Sequence, residues 1–174
     1  MNHADHVTLL RDGVPTSGGV WADFGSGTGA FTLALAELIG PSGVIYSIDK
    51  DRGALAQQER LMRERFPNLT AHYLAADFTR PIQIPPLDGI VMANALHFQH
   101  DKDRVVRLVR TYLKPGWRLM IVEYNISSGN FAVPHPIPFR DWQTLARRSG
   151  FTATKLLATR PSRFLKEIFS AVSW

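Results

Sequence analysis

The sequence predicts an α/β fold, with an open, mostly parallel seven-stranded sheet, helices on both faces and a C-terminal antiparallel hairpin. Short apolar runs alternate with amphipathic stretches through residues 19–151, a pattern that right-handed crossovers join into a parallel sheet. The first run ends in the glycine-rich turn 25–29. The last two runs are joined by "PSR", a connection short enough for a hairpin. The predicted architecture is therefore Rossmann-like.

The individual elements follow from periodicity and from the residues that interrupt it. Five buried strands precede the hairpin, over residues 19–24, 43–49, 70–77, 88–94 and 117–124. Four amphipathic helices separate or follow them, over residues 28–40, 52–66, 101–116 and 139–151. The first three helices end at or beside glycine or proline, which cannot continue a helix without cost. The hairpin strands cover 152–160 and 164–174.

Length and composition predict one globular domain. The 174 residues are 45% hydrophobic and 20% charged, enough to bury a core without disulfide or metal staples. We divide residues 1–174 into an N-terminal cap segment (1–19), a cofactor-binding core (20–124), and a lid loop, helix and hairpin (125–174). There is no cysteine, which excludes thiolate nucleophiles and cysteine-ligated metals. No apolar run reaches the roughly 18 residues of a membrane span, so a cytoplasmic location is expected.

The stretch "WADFGSGTGAF" is built to bring backbone close to a ligand. Glycines allow a sharp turn and close approach, and the following helix directs unpaired N–H groups toward the same place. Asp23 precedes Gly25, Gly27 and Gly29, while Gly25-x-Gly27-x-x-Ala30 also fits the dinucleotide fingerprint. Two kinds of nucleotide cofactor therefore compete, and the site is expected at the carboxyl ends of the first and fourth strands.

Three further segments are expected beside that turn. Asp49 ends the second strand, 20 residues beyond Gly29, a spacing at which an acid accepts hydrogen bonds from ribose hydroxyls; capping of the next helix is its alternative role. Asp77 and Phe78 end the third strand, where an acid can receive an exocyclic amine and an aromatic ring can cover a purine. The loop 94–98 after the fourth strand would face the reacting centre.

These segments together resemble the class I S-adenosylmethionine-dependent methyltransferases, close to the small-molecule type that includes the ubiquinone and menaquinone biosynthesis enzymes. The family's acid-x-Gly-x-Gly-x-Gly motif matches Asp23–Gly29, its ribose acid matches Asp49, and its adenine-site pair matches Asp77 and Phe78. "ALHFQHD" is similar to its leucine-histidine-histidine segment, with Phe98 in place of the second histidine. "LKPGW" is similar to its L-K-P-G-G segment, and the resemblance covers roughly residues 20–124.

The resemblance implies transfer of an activated methyl group from S-adenosylmethionine to a small organic acceptor aligned behind it. His97 is the candidate catalytic base for a hydroxyl acceptor, with pocket shaping as its alternative role. The cofactor-binding residues implied are a set around the strand ends: Asp23, Gly25, Ser26, Gly27, Gly29, Asp49, Lys50, Asp77, Phe78, Asn94 and Ala95. The acceptor pocket would use the N-terminal segment, the loop after the fourth strand and residues 125–139.

A nicotinamide dehydrogenase and a metal enzyme fit the sequence less well. Tyr46-x-x-x-Lys50 has the spacing of a short-chain dehydrogenase pair, but on a strand these residues lie roughly 13 Å apart. His3 with His6, and His97 with His100, have x-x spacing without a matching carboxylate cluster, so no metal site is predicted.

Two alternatives remain open. The six charged residues in 142–166 are all basic, which would suit an RNA methyltransferase or an acidic small molecule. They are Arg147, Arg148, Lys155, Arg160, Arg163 and Lys166. A catalytically silent S-adenosylmethionine-binding domain that works with a partner is the second alternative. The sequence does not indicate an oligomeric state.

Overall fold

The computed structural model describes residues 1–162 and 165–174 as a seven-stranded sheet flanked by helices. The predicted strand 164–174 begins at a residue outside the described ones. The strands are β1 (Gly19–Phe24), β2 (Gly43–Asp49), β3 (Thr70–Ala75), β4 (Leu87–Ala93), β5 (Leu113–Tyr124), β6 (Thr154–Ser162) and β7 (Lys166–Ser173). The helices are α1 (His3–Arg11), α2 (Ala30–Ile39), α3 (Arg52–Arg65), α4 (Lys102–Arg110) and α5 (Phe139–Arg148), with a 3₁₀ turn at Leu96–Phe98.

The strand order is β3-β2-β1-β4-β5-β7-β6. The first five strands in that order run parallel, whereas β7 is antiparallel to both of its neighbours. The predicted mostly parallel sheet with a terminal hairpin is thus confirmed. The chain leaves β1 on one side toward β2 and returns to its other side as β4, so the carboxyl ends of β1 and β4 border a crevice.

Both faces of the sheet are covered, and β4 is therefore buried along its whole length. Ile90 and Met92 point into a core that also holds Val106 of α4 and Trp142 of α5. Their neighbours in sequence point the opposite way, into a second core covered by α1, α2 and α3. This division follows from the two-residue period of a strand.

Several boundaries differ from the sequence prediction. The helix predicted over 101–116 ends at Arg110, and β5 begins at Leu113 instead of 117. Leu113 pairs with Leu87, the register then shifts, and regular pairing resumes at Arg118 opposite Gly89. Residues 114–117 therefore form an irregular insertion in the strand, where proline and glycine are tolerated. The third strand ends at Ala75, two residues before the predicted end.

The N-terminal segment contains a helix that the sequence prediction omitted. Asn2 and Asp5 form a capping box at the start of α1, since each side chain accepts a hydrogen bond from the other residue's backbone N–H. Val7, Leu9 and Leu10 are buried in the second core against α2. Within the described residues, no helix is long and apolar enough to cross a bilayer.

Candidate active site

A cleft of about 220 Å³ opens at the carboxyl ends of β1, β2 and β4. Residues that follow four different strands line it, since Phe78 comes from the segment after β3. The lining residues are Gly25, Asp49, Lys50, Phe78, Asn94, Ala95, Phe98 and Gln99. Six of these eight were predicted as cofactor-binding residues, and the cleft lies at the predicted switch point of the sheet.

The glycine turn after β1 is fastened to the end of β2. The N–H groups of Gly25 and Ser26 both donate to the carbonyl of Ile48, at 2.8 and 3.2 Å. Gly25 has a φ of +76°, and a Cβ there would lie 2.7 Å from the Cβ of Ala95. Gly27 has a φ of +53°, but a Cβ there would meet no atom within 4 Å. Gly25 is thus needed for packing, whereas Gly27 has open space beside it.

The far side of the turn rests on α3. A Cβ on Gly29 would lie 2.4 Å from Cγ of Gln58, so only glycine fits at that position. The Ser47 hydroxyl lies 2.7 Å from the Ser26 hydroxyl and 3.0 Å from Oε1 of Gln58, and all three side chains are buried. Ser26 and Gly29 therefore support the turn from beneath rather than lining the cleft.

Asp23 is a buried acid with one unused oxygen. Its side chain is 1% exposed, and its Oδ2 accepts a 2.6 Å hydrogen bond from the Thr32 hydroxyl. Within the described part of the chain, neither Oδ1 of Asp23 nor Oδ1 of Asn94 has a hydrogen-bond partner. Burial raises the pKa of Asp23 to about 7. Asn94 lines the cleft, whereas Asp23, a predicted cofactor-binding residue, is not among the lining residues.

Asp49 links the glycine turn to the end of β2. Its Oδ2 accepts from the N–H of Gly27 at 2.8 Å, and its Oδ1 accepts from the N–H of Asp51 at 2.9 Å. The alternative role of capping α3 belongs to Asp51, whose carboxylate accepts from Gly53 and Ala54. Asp49 lies on the cleft wall beside Lys50, in a position to accept hydrogen bonds from hydroxyl groups of a ligand.

Asp77 and Phe78 have different surroundings. Oδ1 of Asp77 accepts from the N–H and the hydroxyl of Thr79, and the hydroxyl bond lowers the pKa of Asp77. That bonding forms a local turn, and Asp77 is not among the cleft-lining residues. Phe78 does line the cleft, and its ring stacks on that of Phe24 with centroids 6.1 Å apart. It supplies a flat apolar wall.

His97 is buried beside the cleft rather than on its wall. The residue is 2% exposed, and its Nδ1 lies 2.6 Å from Oε2 of Glu123. Phe98, whose ring centroid lies 4.3 Å from that of His97, occupies the wall instead. The geometry is that of a histidine held by a buried carboxylate, and it leaves the predicted role as a base to experiment.

The sequence prediction missed several residues that shape the cleft. Phe98 belongs to the loop 94–98 that was predicted to face the reacting centre, whereas Gln99, which also lines the cleft, was omitted. Glu123 and Gln58 act from buried positions on β5 and α3. The sequence did contain a signal for Glu123, which is an acid near the end of an apolar strand. A buried carboxylate requires hydrogen-bond donors nearby, so an acid in this position indicates a bonded partner across the sheet. No residue of 1–19 or 125–139 lines this cleft.

The basic residues of the C-terminal third are divided between two ends of the sheet. The β6 ladder places Lys155 opposite Val172, which pairs with Met120 of β5. The same ladder places Arg160 and Lys166 toward the carboxyl end. These residues therefore do not form a single basic surface.

Acids neutralise part of that charge. Arg148 forms a two-point ion pair with Asp103, and Nε of Arg160 lies 3.8 Å from Oδ1 of Asp5. Arg163 lies outside the described residues. Among the residues that the structure describes, no three His, Asp or Glu side chains are grouped to hold a metal ion.

The sheet order, glycine turn and acid at the end of β2 define a class I S-adenosylmethionine-dependent methyltransferase fold. Residues 15–164 match the methyltransferase domain family, and the chain belongs to that family.

Curated relatives agree with this assignment. The chain is 32% identical over 108 residues to the ubiquinone/menaquinone biosynthesis C-methyltransferase UbiE of Pasteurella multocida, covering 59% of this chain and 39% of the relative. The enzyme of the same name from Pseudomonas aeruginosa is 27% identical over 124 residues, covering 71% and 48%. The chain thus spans less than half the length of these two relatives.

Solved structures share the fold. The YcgJ protein of Bacillus subtilis has a TM-score of 0.79 at 11% identity, with 98% of each chain covered. The 1,6-didemethyltoxoflavin-N1-methyltransferase of Burkholderia thailandensis, solved with 1,6-didemethyltoxoflavin and S-adenosylhomocysteine bound, has a TM-score of 0.75 at 16% identity. That match covers 98% of this chain and 77% of the other.

Proposed function

We propose that this chain binds S-adenosylmethionine in the cleft and transfers its methyl group to a small organic acceptor by in-line displacement. When bound, S-adenosylmethionine supplies an electrophilic methyl group on a positively charged sulfur. The observation that carries the proposal is the cleft at the carboxyl ends of β1, β2 and β4, whose wall holds Asp49, Phe78 and Asn94. Oδ1 of Asn94, and Oδ1 of Asp23 beneath the wall, have no partner among the described residues, and such acceptors would suit a ligand that carries an ammonium and a sulfonium.

The other end of the cleft suits a nucleoside. Asp49 offers carboxylate oxygens to ribose hydroxyls while it holds the Gly27 N–H, so the ligand and the glycine turn would share one acid. Phe78 would cover a purine ring with its apolar face. Asp77 would receive the exocyclic amine through the oxygen that Thr79 does not use. Lys50 and Ala95 would complete the wall.

The acceptor is proposed to be a small molecule rather than a nucleic acid. Phe98 and Gln99 form the cleft wall next to Asn94, and they present an aromatic ring and an amide. The basic residues of the C-terminal third are split between the two ends of the sheet and partly paired. We retain His97 as the proposed base for a hydroxyl acceptor, because Glu123 holds its Nδ1 and leaves Nε2 to take a proton.

A thermal-shift titration tests donor binding. S-Adenosylmethionine or S-adenosylhomocysteine at 100 times its dissociation constant should add about 2.7 kcal/mol to the free energy of unfolding. NAD under the same conditions should add nothing. Stabilisation by NAD and not by either methionine derivative would refute the proposal. Transfer is then measured with S-adenosylmethionine labelled in the methyl group and a cell metabolite extract as acceptor pool. Label in that extract supports the enzyme, and its absence despite donor binding supports the silent domain.

A further inference from the structure

The carboxylate of Glu123 is completely buried near the end of β5, and all its bonding goes to one turn. Its Oε1 accepts from the N–H groups of Leu96 and His97, at 2.9 and 3.2 Å. Its Oε2 lies 2.6 Å from Nδ1 of His97. A buried carboxylate without such donors would be strongly destabilising, so the arrangement ties the strand firmly to the turn.

The 3₁₀ turn at Leu96–Phe98 has no capping side chain of its own. The first turn of a helix leaves backbone N–H groups without partners. Glu123 of β5 accepts from two such groups, those of Leu96 and His97. The turn is bracketed by residues of the cleft wall, with Asn94 and Ala95 before it and Phe98 and Gln99 at its end. The position of Glu123 therefore sets the position of this wall.

Two neighbouring segments are fastened to the same place. The N–H of His135, in the loop that follows β5, donates to the carbonyl of His97 at 3.0 Å. Nζ of Lys102 donates to the carbonyl of Gln99 at 2.8 Å. Burial lowers the pKa of Lys102, and the nearby Glu123 carboxylate opposes that shift. The turn that Glu123 holds is thus also the attachment point for the loop after β5 and the start of α4.

We infer that Glu123 is a positioning residue for methyl transfer, which fixes the 96–98 turn and selects the Nδ1–H tautomer of His97. An ionised carboxylate only accepts, so the neutral imidazole must carry its proton on Nδ1. Nε2 is then the nitrogen that can accept a proton from an acceptor hydroxyl. The inference rests on the proposed function for its catalytic consequence, but the bonding of the turn and the tautomer can be measured without it.

The test compares Glu123→Gln with the wild type. The glutamine carbonyl can still accept from both N–H groups, but its NH₂ must donate to His97, which selects the Nε2–H tautomer instead. Glu37→Gln is the matched control, because Glu37 lies 2.7 Å from Nε2 of His3 in an exposed pair away from the cleft. Nitrogen-15 spectra of the imidazoles report the tautomer, and calorimetry with S-adenosylhomocysteine reports the donor site.

We expect Glu123→Gln to invert the His97 tautomer, to leave S-adenosylhomocysteine affinity within about twofold, and to slow label transfer into the metabolite extract by about tenfold or more. Glu37→Gln should change none of these. An unchanged tautomer in Glu123→Gln, or an inverted tautomer with a wild-type transfer rate, would overturn the inference. Glu123→Ala adds a check on the turn, because it should also accelerate amide exchange at Leu96 and His97. If wild type itself bound no S-adenosylhomocysteine, the proposed function would fail, while the tautomer and exchange results would still decide the role of Glu123 in the turn.

Discussion

Replacing Asp23 with asparagine should stabilise the protein and weaken its proposed cofactor site at the same time. Burial raises the pKa of Asp23 from 3.8 to about 7 in the folded chain. Between these values the folded state holds a proton that the unfolded state has released, so the free energy of unfolding falls as pH rises. At about 1.4 kcal/mol per pH unit over roughly three units, ionised Asp23 costs about 4 kcal/mol above pH 7.

Asparagine has the same shape and does not ionise. Its carbonyl can accept the hydrogen bond from Thr32, and its NH₂ would occupy the position of the unpartnered Oδ1. Asp23→Asn should therefore have the same free energy of unfolding as the wild type near pH 4. At higher pH it should become progressively more stable than the wild type, by up to about 4 kcal/mol at pH 8. Denaturant titrations across this pH range, followed by tryptophan fluorescence, measure the difference. Asp12→Asn makes the same substitution at an exposed residue, and it should not increase the free energy of unfolding in this way.

The same variant should bind S-adenosylmethionine less well. A cationic ligand favours the ionised acid, so wild-type affinity should rise between pH 6 and 8 as protons leave Asp23, while that of Asp23→Asn should stay flat. Loss of the charged acceptor should weaken binding by about 1.5–3 kcal/mol at pH 8, measured by calorimetry. A stability difference between variant and wild type that is constant from pH 5 to 8 would refute the reasoning about Asp23.

Three further predictions concern the cleft, the glycine turn and the methyl acceptor. Asp49→Ala should weaken donor binding by about 1.5–3 kcal/mol through the lost ribose contacts, and unchanged calorimetric affinity in a folded variant would exclude that role. Gly27→Val should abolish donor binding, measured by calorimetry, because a branched side chain would block the donor's approach to the backbone of the turn. Gly25→Ala should instead lower the melting temperature, measured by thermal unfolding, through the clash with Ala95. In the methyl-transfer screen, total RNA should remain unlabelled at both 50 and 200 mM salt. Label in RNA that is lost at high salt and in an Arg147→Ala, Arg148→Ala double variant would instead establish an RNA substrate.

Much of the fold could be predicted from the sequence because most of the parallel strands are mainly apolar runs with clear limits. β1 and β2 have the predicted limits, since glycine precedes each run and a polar or glycine residue follows it. The boundary between α4 and β5 was wrong for a specific reason. Pro115 and Gly116 are typical of a helix end, but here they lie in the irregular part of β5, which pairs with β4 on both sides of them.

The sequence by itself determined the class of fold and most of the residues that line the cleft, because the glycine turn and the residues at the ends of β2, β3 and β4 are local motifs at strand ends. Only the tertiary structure decided what these residues contact. Whether Asp23 is buried, whether Asp51 replaces Asp49 as a helix cap, and whether Glu123 reaches His97 depend on distances across the sheet. Strand order brings the ends of β4 and β5 together although Glu123 lies 26 residues beyond His97. Desolvation and hydrogen bonding act through space, so the surroundings of Asp23 and Glu123 are set by packing and not by their neighbours in sequence.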